Sequence, residues 1–500
     1  MKINPDHQNQ TVLRSLIITG LVFFLAAGCS RWLKPTILKD PSPASFVEFL
    51  EQRMPVLMKR YRVPGAAVAL IEDGRTVWTG AYGFADQEQG IEMSPDTHCR
   101  AQSIAKSVTA WGVMKLVEEG QLDLDRPVSA YLTSWDFPEQ PETAGEVTIR
   151  QLLTHTSGLQ RGTVGVHFNP EEEIPSLRSN LNGEARFQFK PGEQFLYSNP
   201  GYNVLEVLVE DVTGQDFADY MKQEILQPLG MQRADFEWQP DWKPGAAVGY
   251  DVQGDPVPVY VYPEKASGGL FATVEDIAAF AAAAVRPSSE TGRPVLDPAT
   301  REQLYTTQAA LTGQYRLISD SYGLGHFLET LPQDGTAFWH GGQGHGWMTH
   351  FHAVPETGKA IVILTNSQRS WPLFARVLRA WSDHNGTGAL GMEIIITGAR
   401  ALGALTALFL TLVLWGALKL VKDLRTGKRH LGSRRPEIQL QSMLQIGFGL
   451  TITGGLIWFF NQEYTFLSVV FPRTTPWVGR SLGAAALLLI CQGFFPRRIR

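Results

Sequence analysis

The spacing of apolar residues changes several times along this chain, and each change predicts an element. Behind Ser42-Pro43, residues Phe46, Phe49, Leu50, Leu57 and Met58 recur at helical spacing through Tyr61, with proline in the first turn. Segments 66–71 and 76–82 flank Asp73-Gly74, a strong two-residue hairpin signal. A second hairpin is predicted at 347–354 and 360–366, joined through Pro355-Glu356-Thr357-Gly358, and 371–382 reads as a closing helix. Helical patterns lie between: 103–119 ended by Gly120, 204–213 ended by Gly214, and 273–285 opened by Thr273 and Asp276. Strands at both ends with helices between predict an α/β (α+β) domain over residues 40–385, an interrupted antiparallel sheet flanked by helices.

Beyond residue 393 the pattern is continuous rather than periodic. Residues 401–418 carry no charge and are bounded by Arg400 and Lys419, which suits the roughly 20 apolar residues needed to cross a bilayer. Runs at 443–460 and 477–495 give a predicted membrane domain, 393–500, with about three spans (about 400–421, 443–460 and 477–495). Lys422, Arg425, Lys428, Arg429, Arg434 and Arg435 crowd the first connection, while Arg473 stands alone in the second. Basic loops stay cytoplasmic, so the large preceding domain is expected outside, and Arg497, Arg498 and Arg500 inside. The N-terminus agrees. Lys2 and Arg14 precede an apolar stretch, 16–27, too short to span comfortably, so residues 1–29 read as an export signal. Leu25-Ala26-Ala27-Gly28-Cys29 resembles a bacterial lipobox with Cys29 as the lipidated residue; an ordinary signal peptide or a retained anchor is the alternative. The expected location is the cell membrane, multi-pass, with the catalytic domain on the periplasmic or outer face. Residues 383–392 read as a short polar link, which extended reaches at most about 36 Å.

Composition narrows the function classes. The 500 residues carry a formal net charge of −5, and the basic residues gather at the C-terminal end without interleaved aromatics, so no nucleic-acid partner is expected. Cys29, Cys99 and Cys491 sit in unrelated settings and predict no disulfide. His340, His345, His350 and His352 cluster in sequence, but neither a His-Glu-x-x-His helix nor a cysteine pair accompanies them, so no metal or other cofactor is expected.

The chemistry-bearing residues form three elements. Ser103-Ile104-Ala105-Lys106 is the chain's Ser-x-x-Lys, at the start of a predicted helix, so hydroxyl and ammonium fall on one face a turn apart. An amine beside a hydroxyl can activate it, and the helix N-terminus adds partial positive charge where an oxyanion would develop. Tyr197-Ser198-Asn199 follows Pro191-Gly192, and His340-Gly341-Gly342 closes the series at a predicted strand end. Three elements in this order are far more specific than any one.

With these elements the chain resembles the serine β-lactamase and penicillin-binding protein superfamily, nearest its class C β-lactamase, D-aminopeptidase and esterase branch, over roughly residues 40–385. Leu152-Leu153-Thr154-His155-Thr156-Ser157-Gly158-Leu159 and Gly268-Gly269-Leu270-Phe271-Ala272-Thr273 strengthen the resemblance. It implies an α/β sandwich beside a helical domain with the site between. It implies Ser103 as the acylated nucleophile, Lys106 as its activating neighbour, and Tyr197 as general base and acid through a phenol acidified by the ammonium. Asn199 would bind Lys106 and the substrate amide. His340 and Gly342 would line the cleft, with the backbone N–H groups of Ser103 and Gln343 as oxyanion hole. His340 departs from the pattern, because many members place lysine there, and a neutral imidazole attracts a substrate carboxylate less. The expectation is a membrane-tethered serine hydrolase acting on ester, amide or D-amino-acid peptide substrates near the cell envelope, with membrane lipids as neighbours. The alternatives are a β-lactamase or penicillin-binding DD-peptidase, or a non-catalytic receptor for cell-wall peptides.

Overall fold

The computed structural model describes residues 42–138, 144–162, 167–285, 295–332, 335–431, 436–462 and 466–496. The export signal, Cys29, Arg434, Arg435 and the terminal arginines lie outside the described residues. The chain divides into two compact units, one ending at Ile394 and one beginning at Ile395.

In the first unit, helix α1 (Pro43–Tyr61) opens as its sequence dictates: the Ser42 side chain accepts from the Ser45 N–H, Pro43 follows, and Phe46, Leu50, Met54 and Met58 form the buried stripe. The hairpin β1 (Gly65–Glu72) and β2 (Arg75–Asp86) turns at Asp73-Gly74, where both residues take positive φ, and β3 (Ile91–Glu92) adds an edge. A short β4 (Cys99–Arg100) leads into α2 (Ile104–Glu118), followed by α3 (Ile149–Leu153), α4 (Leu177–Glu184), α5 (Asn199–Thr213) and α6 (Phe217–Met221). After the small strands β5 (Gly249–Tyr250), β6 (Pro256–Val257) and β7 (Phe271–Ala272) come α7 (Val274–Val285) and α8 (Pro298–Leu304). The chain then returns to the sheet through β8 (Ala309–Ala310), β9 (Ser321–Tyr322), β10 (Phe327–Thr330), β11 (Thr336–Gln343), β12 (Met348–Val354) and β13 (Lys359–Thr365), and α9 (Trp371–Asn385) closes the unit.

Nine of the described strands make an antiparallel sheet ordered β3-β2-β1-β13-β12-β11-β10-β9-β8, while β4 pairs with β7 and β5 with β6. Its closure is the pairing of β1 with β13, Ala66 opposite Thr365 through Ile71 opposite Ala360, which joins the two predicted hairpins into one sheet. Strand β12 shows how the pleat sorts side chains. Phe351 meets Phe280 of α7 on one face, while His350 and His352 meet Phe374 and Trp381 of α9 on the other. The four clustered histidines therefore do not converge: His340 lies on the face opposite Trp339, and Trp339 is the one that packs on His350.

The predicted polar link is shorter than its sequence suggested. Residues 383–385 continue α9, and Leu390 and Met392 are buried rather than solvated. Gly391 donates its N–H to Glu329 at 2.7 Å, in a spot where a Cβ would stand 2.3 Å from the Ile318 carbonyl. Two buried apolar side chains and one glycine seated against Ile318 lie inside a polar-looking stretch, which composition alone hid.

The second unit contains α10 (Glu393–Arg425), α11 (Pro436–Phe460), α12 (Phe466–Val470) and α13 (Thr475–Phe494). Three of its helices are long and apolar enough to cross a membrane: Glu393–Arg425, Leu440–Phe460 and Thr475–Phe494. Helices α11 and α13 pack closely where glycine removes the side chain. A Cβ on Gly493 would stand 2.8 Å from the Ser442 carbonyl, and one on Gly449 2.9 Å from that of Ala486.

Candidate active site

The Ser-x-x-Lys element sits at the head of α2, which is buried nearly all round. Gln102, just before Ser103, holds φ of 53°, a left-handed conformation costly for a side-chain-bearing residue. Two bonds from its amide compensate: Nε2 donates to the Tyr260 hydroxyl at 3.1 Å and Oε1 accepts from Tyr262 at 3.3 Å. This bend leaves Ser103 half-exposed as the N-cap of α2. Among the described residues no backbone acceptor takes the Ser103 N–H. Strand β11 passes so close that a Cβ on Gly342 would stand 2.1 Å from Thr349 Oγ1 and 2.3 Å from the Ala101 carbonyl, so glycine is a steric requirement there.

Lys106 is fully buried. Its Nζ donates to Asn199 Oδ1 at 2.8 Å and to the Ser267 carbonyl at 2.6 Å, and lies 3.4 Å from Ser103 Oγ. Burial, reinforced by the Arg161 charge, holds the amine well below its ordinary value. Two carbonyl oxygens accept from this nitrogen, and its third direction faces the Ser103 hydroxyl.

The Lys106 nitrogen stands 4.9 Å from the Tyr197 ring centroid, and Ser103 bears on the Tyr197 hydroxyl. Sequence reasoning expected an acidified phenol, and the environment does the opposite. Burial pushes Tyr197 up, outweighing the Ser103 hydrogen bond that favours the phenolate. The same burial shifts the neighbouring Lys106 against its charged form.

Asn199 opens α5 behind the Ser198 cap, whose side chain accepts from Gly201. His340 is buried beneath Tyr197, with ring centroids 6.2 Å apart. Its Nδ1 lies 3.0 Å from the Gly341 carbonyl and Nε2 3.3 Å from the Tyr322 hydroxyl, so Nδ1 carries the proton and Nε2 accepts. Burial, with Lys106 nearby, holds the imidazole well below its ordinary value, and both nitrogens are occupied. Gln343 turns its side-chain oxygen to the Trp371 indole N–H at 3.0 Å.

Four further residues shape the site. His155, in left-handed conformation at φ 58°, accepts the Ser198 N–H on Nδ1 at 3.1 Å and stacks on Tyr197 at 4.3 Å. Its carbonyl accepts from Leu196 at 2.8 Å, so it grips the Tyr197 loop on both sides. Arg161, exposed, bears on both Lys106 and Tyr197 with its charge, and its carbonyl accepts the Asn199 N–H at 3.0 Å. Arg100, buried, donates to the Tyr260 and Gly268 carbonyls and stacks on Tyr262, clamping the segment that carries Ser267. Glu206 of α5 accepts the N–H groups of Lys265 and Ala266. The sequence signal for His155 was its place in the Leu-Leu-Thr-His segment; for Arg161, Arg100 and Glu206 there was none, since each acts on partners distant in sequence. Among the described residues no group of three or more histidine, cysteine or acidic side chains is arranged to hold a metal ion.

The geometry agrees with the comparisons. A beta-lactamase family model matches residues 50–384. Protein flp of Staphylococcus aureus (strain MRSA252) is 30% identical over 215 residues, 41% of this chain and 41% of that protein. Serine beta-lactamase-like protein LACTB, mitochondrial, of Mus musculus is 30% identical over 242 residues, covering 34% of this chain and 43% of that protein. The chain thus spans less than half the length of these curated relatives. Among solved structures, the octameric penicillin-binding protein homologue from Pyrococcus abyssi aligns with a TM-score of 0.57 at 27% identity, over 68% of this chain and 78% of that one. The D-alanine carboxypeptidase AmpC from Burkholderia cenocepacia aligns at 0.56 and 21% identity, over 69% and 100%, a likeness of fold. A family model covering most of the chain, the shared architecture of sheet and helices, and the three elements meeting in one place lead to one conclusion: the chain belongs to the beta-lactamase family.

Proposed function

We propose that this protein is a membrane-tethered serine hydrolase, its catalytic unit outside the cytoplasm, that works through an acyl-enzyme on Ser103. The observation that carries the reading is the Lys106 nitrogen, buried, bonded to two carbonyl oxygens and 3.4 Å from Ser103 Oγ. In the first step the Ser103 proton passes to the Lys106 lone pair, directly or through the Tyr197 hydroxyl, as Oγ bonds to the substrate carbonyl carbon. The oxyanion is received by the N–H groups of Ser103 and Gln343 at the head of α2 and the end of β11. Collapse expels the leaving group, which takes its proton from Tyr197 as Lys106 returns its own. Water then attacks the acyl carbon as it gives a proton to Lys106, and collapse releases the acid as Ser103 Oγ leaves and takes that proton back. Asn199 orients Lys106 and the substrate amide, while His155 and His340 hold Tyr197 from two sides.

With His340 neutral and both nitrogens engaged, Arg161 is the permanent positive charge bearing on the nucleophile's neighbours. That favours ester, amide or D-amino-acid peptide substrates with an anionic group on the Arg161 side. One structural neighbour is described as bound to D-Leu, which agrees with a D-amino-acid substrate. Orientation rests on the basic first connection, of which Lys422, Arg425, Lys428 and Arg429 are described. The full-length protein in detergent, treated with a fluorescent fluorophosphonate, should be labelled at Ser103, and a fluorescent penicillin or ester should be released with time. Labelling that survives Ser103→Ala overturns the nucleophile. Labelling by penicillin without release favours the cell-wall peptide receptor.

A further inference from the structure

The Lys106 amine depends on a carbonyl, and that carbonyl depends on a buried acid. Glu206 lies two turns along α5 from Asn199, is 2% exposed, and points at the chain before the Gly268-Gly269 turn. One of its oxygens accepts both the Lys265 N–H at 2.7 Å and the Ala266 N–H at 2.8 Å. The next residue, Ser267, supplies the carbonyl that takes the Lys106 N–H at 2.6 Å. Thr109, one turn beyond Lys106 on α2, donates its hydroxyl to the Ala266 carbonyl at 3.0 Å, so the same two peptide units are held from α5 on one side and α2 on the other. Gly269 folds back so tightly that a Cβ there would stand 2.6 Å from Lys265 Cα, which leaves this turn no room to settle elsewhere.

An acid is a surprising choice for the task. Burial is the largest influence on its carboxyl, which is pushed up to about 8 despite the two N–H donors and the nearby Lys265 charge. The Lys265 ammonium itself is spoken for by Asp216 at 3.0 Å and Glu237 at 2.6 Å. Packing alone would be served by an apolar side chain in this stretch of α5, where Leu205, Val207, Leu208 and Val209 are buried all round the helix. What an apolar residue cannot do is accept two main-chain N–H groups, and those two bonds set the direction of the following carbonyl.

We propose that Glu206 is a positioning residue for the general base: by accepting the Lys265 and Ala266 N–H groups it aims the Ser267 carbonyl at Lys106, and thereby aims the amine's lone pair at Ser103. The proposal rests on the acyl-enzyme reading above. A neutral amine with one of its two acceptors missing is free to rotate about its last C–N bond, and the lone pair then no longer faces the hydroxyl. Substrate contacts are untouched, so the loss falls on turnover rather than on binding. An amide oxygen can accept the same two N–H groups, so glutamine should replace glutamate, whereas alanine should not.

The experiment compares Glu206→Ala, Glu206→Gln and a control of like chemistry, Glu329→Ala, in the full chain in detergent, with p-nitrophenyl butyrate as substrate. Glu329 is also a buried acid holding a main-chain N–H, that of Gly391, but far in sequence from Lys106 and its partners. The expected result is a fall in kcat of about thirtyfold or more for Glu206→Ala with KM within threefold, recovery to within threefold of wild type for Glu206→Gln, and a normal kcat for folded Glu329→Ala. If Glu206→Ala fails to fold, Thr109→Val, which releases the Ala266 carbonyl, should lower kcat with KM held. Glu206→Ala with wild-type kcat, a parallel change in KM, or equal kcat losses in Glu206→Ala and Glu329→Ala would overturn the proposal. Ser103→Ala, run alongside, separates the two readings. Turnover that survives it sinks the acyl-enzyme mechanism itself, whereas its loss together with an unaffected Glu206→Ala sinks only the positioning role.

Discussion

Helices α2 and α10 are built from the same residue types and meet opposite fates. In α2, Ile104, Val108, Trp111, Val113 and Leu116 are all packed inside protein, and so is Lys106. In α10, Leu405 is 63% exposed, Leu414 60% and Leu418 62%, with Trp415 beside them. Each unit inverts the ordinary rule of burial in its own way. The first unit hides ionisable groups (Lys106, His155, Glu206, His340, His350, His352) where burial shifts each against its charged form. The helical unit leaves leucines outside, which is favourable only where the surrounding solvent is hydrocarbon. One inversion sets an amine against its charged form, and the other leaves a helix apolar enough to cross a membrane.

The sharpest way to break this comparison is to remove the buried amine. Lys106→Met keeps length and apolarity, so the fold should survive with little change in Tm while kcat/KM for a p-nitrophenyl ester falls by roughly 10³-fold, within the range general-base catalysis supplies. In the wild type, kcat/KM should fall as pH drops through the depressed Lys106 value, because the protonated amine has no lone pair. It should then hold a plateau on the alkaline side, because burial also keeps Tyr197 protonated. A bell centred near neutrality, or a Lys106→Met enzyme with undiminished activity, would show that the amine works as an ammonium or not at all.

The outer inversion is tested by putting charge where leucine is. Leu412→Arg near the middle of α10 should cost insertion about 2.5–3.5 kcal/mol, roughly a hundredfold in partition between membrane and aqueous fractions. Activity of the catalytic unit per folded molecule should not change. Equal membrane retention of variant and wild type would mean that this helix face never meets lipid.

A smaller effect concerns the mouth of the site. Arg161→Gln should lower the preference for a mono-p-nitrophenyl glutarate over the neutral butyrate about tenfold, with the loss reduced at high salt. If the ratio of kcat/KM values stays within twofold of wild type, the guanidinium does not meet the substrate.

Much of this organisation was legible in the sequence because it is local. Ser42-Pro43, Asp73-Gly74, Gly214 and the Ser-x-x-Lys spacing each act within a few residues, and their elements form as read. Three apolar runs at the C-terminus were equally plain, since length and lack of charge are one-dimensional properties. The protonation states were not legible. Tyr197 and Lys106 read as a phenol beside an ammonium, and burial, a property of the folded chain, shifts each against its charged form. Glu206, Arg161 and Gly391 were hidden for the same reason: their partners lie tens of residues away.

The mildest test reads the cost of hidden ionisable groups away from the active centre. His352 on β12 lies between His350 and Trp381, with no hydrogen-bond partner for either nitrogen among the described residues, and burial holds it at about 3. His326 is likewise held at about 3. Unfolded, both titrate near the ordinary histidine value of about 6.5. Between these values the unfolded chain binds a proton that the folded chain refuses, so stability is whole above about pH 6.5 and drains away as pH falls toward 3. Each histidine contributes a slope of up to about 1.4 kcal/mol per pH unit in that window. His352→Leu removes one such group, so urea midpoints of the full chain in detergent, measured from pH 7 to pH 4.5, should fall less steeply for the variant. At pH 7 the two proteins should differ by no more than about 1.5 kcal/mol, the usual cost of a near-isosteric core exchange. Identical slopes would mean that folded His352 accepts its proton as readily as the unfolded chain does, and that the α9 face of the sheet is not the dry interior its aromatic packing describes.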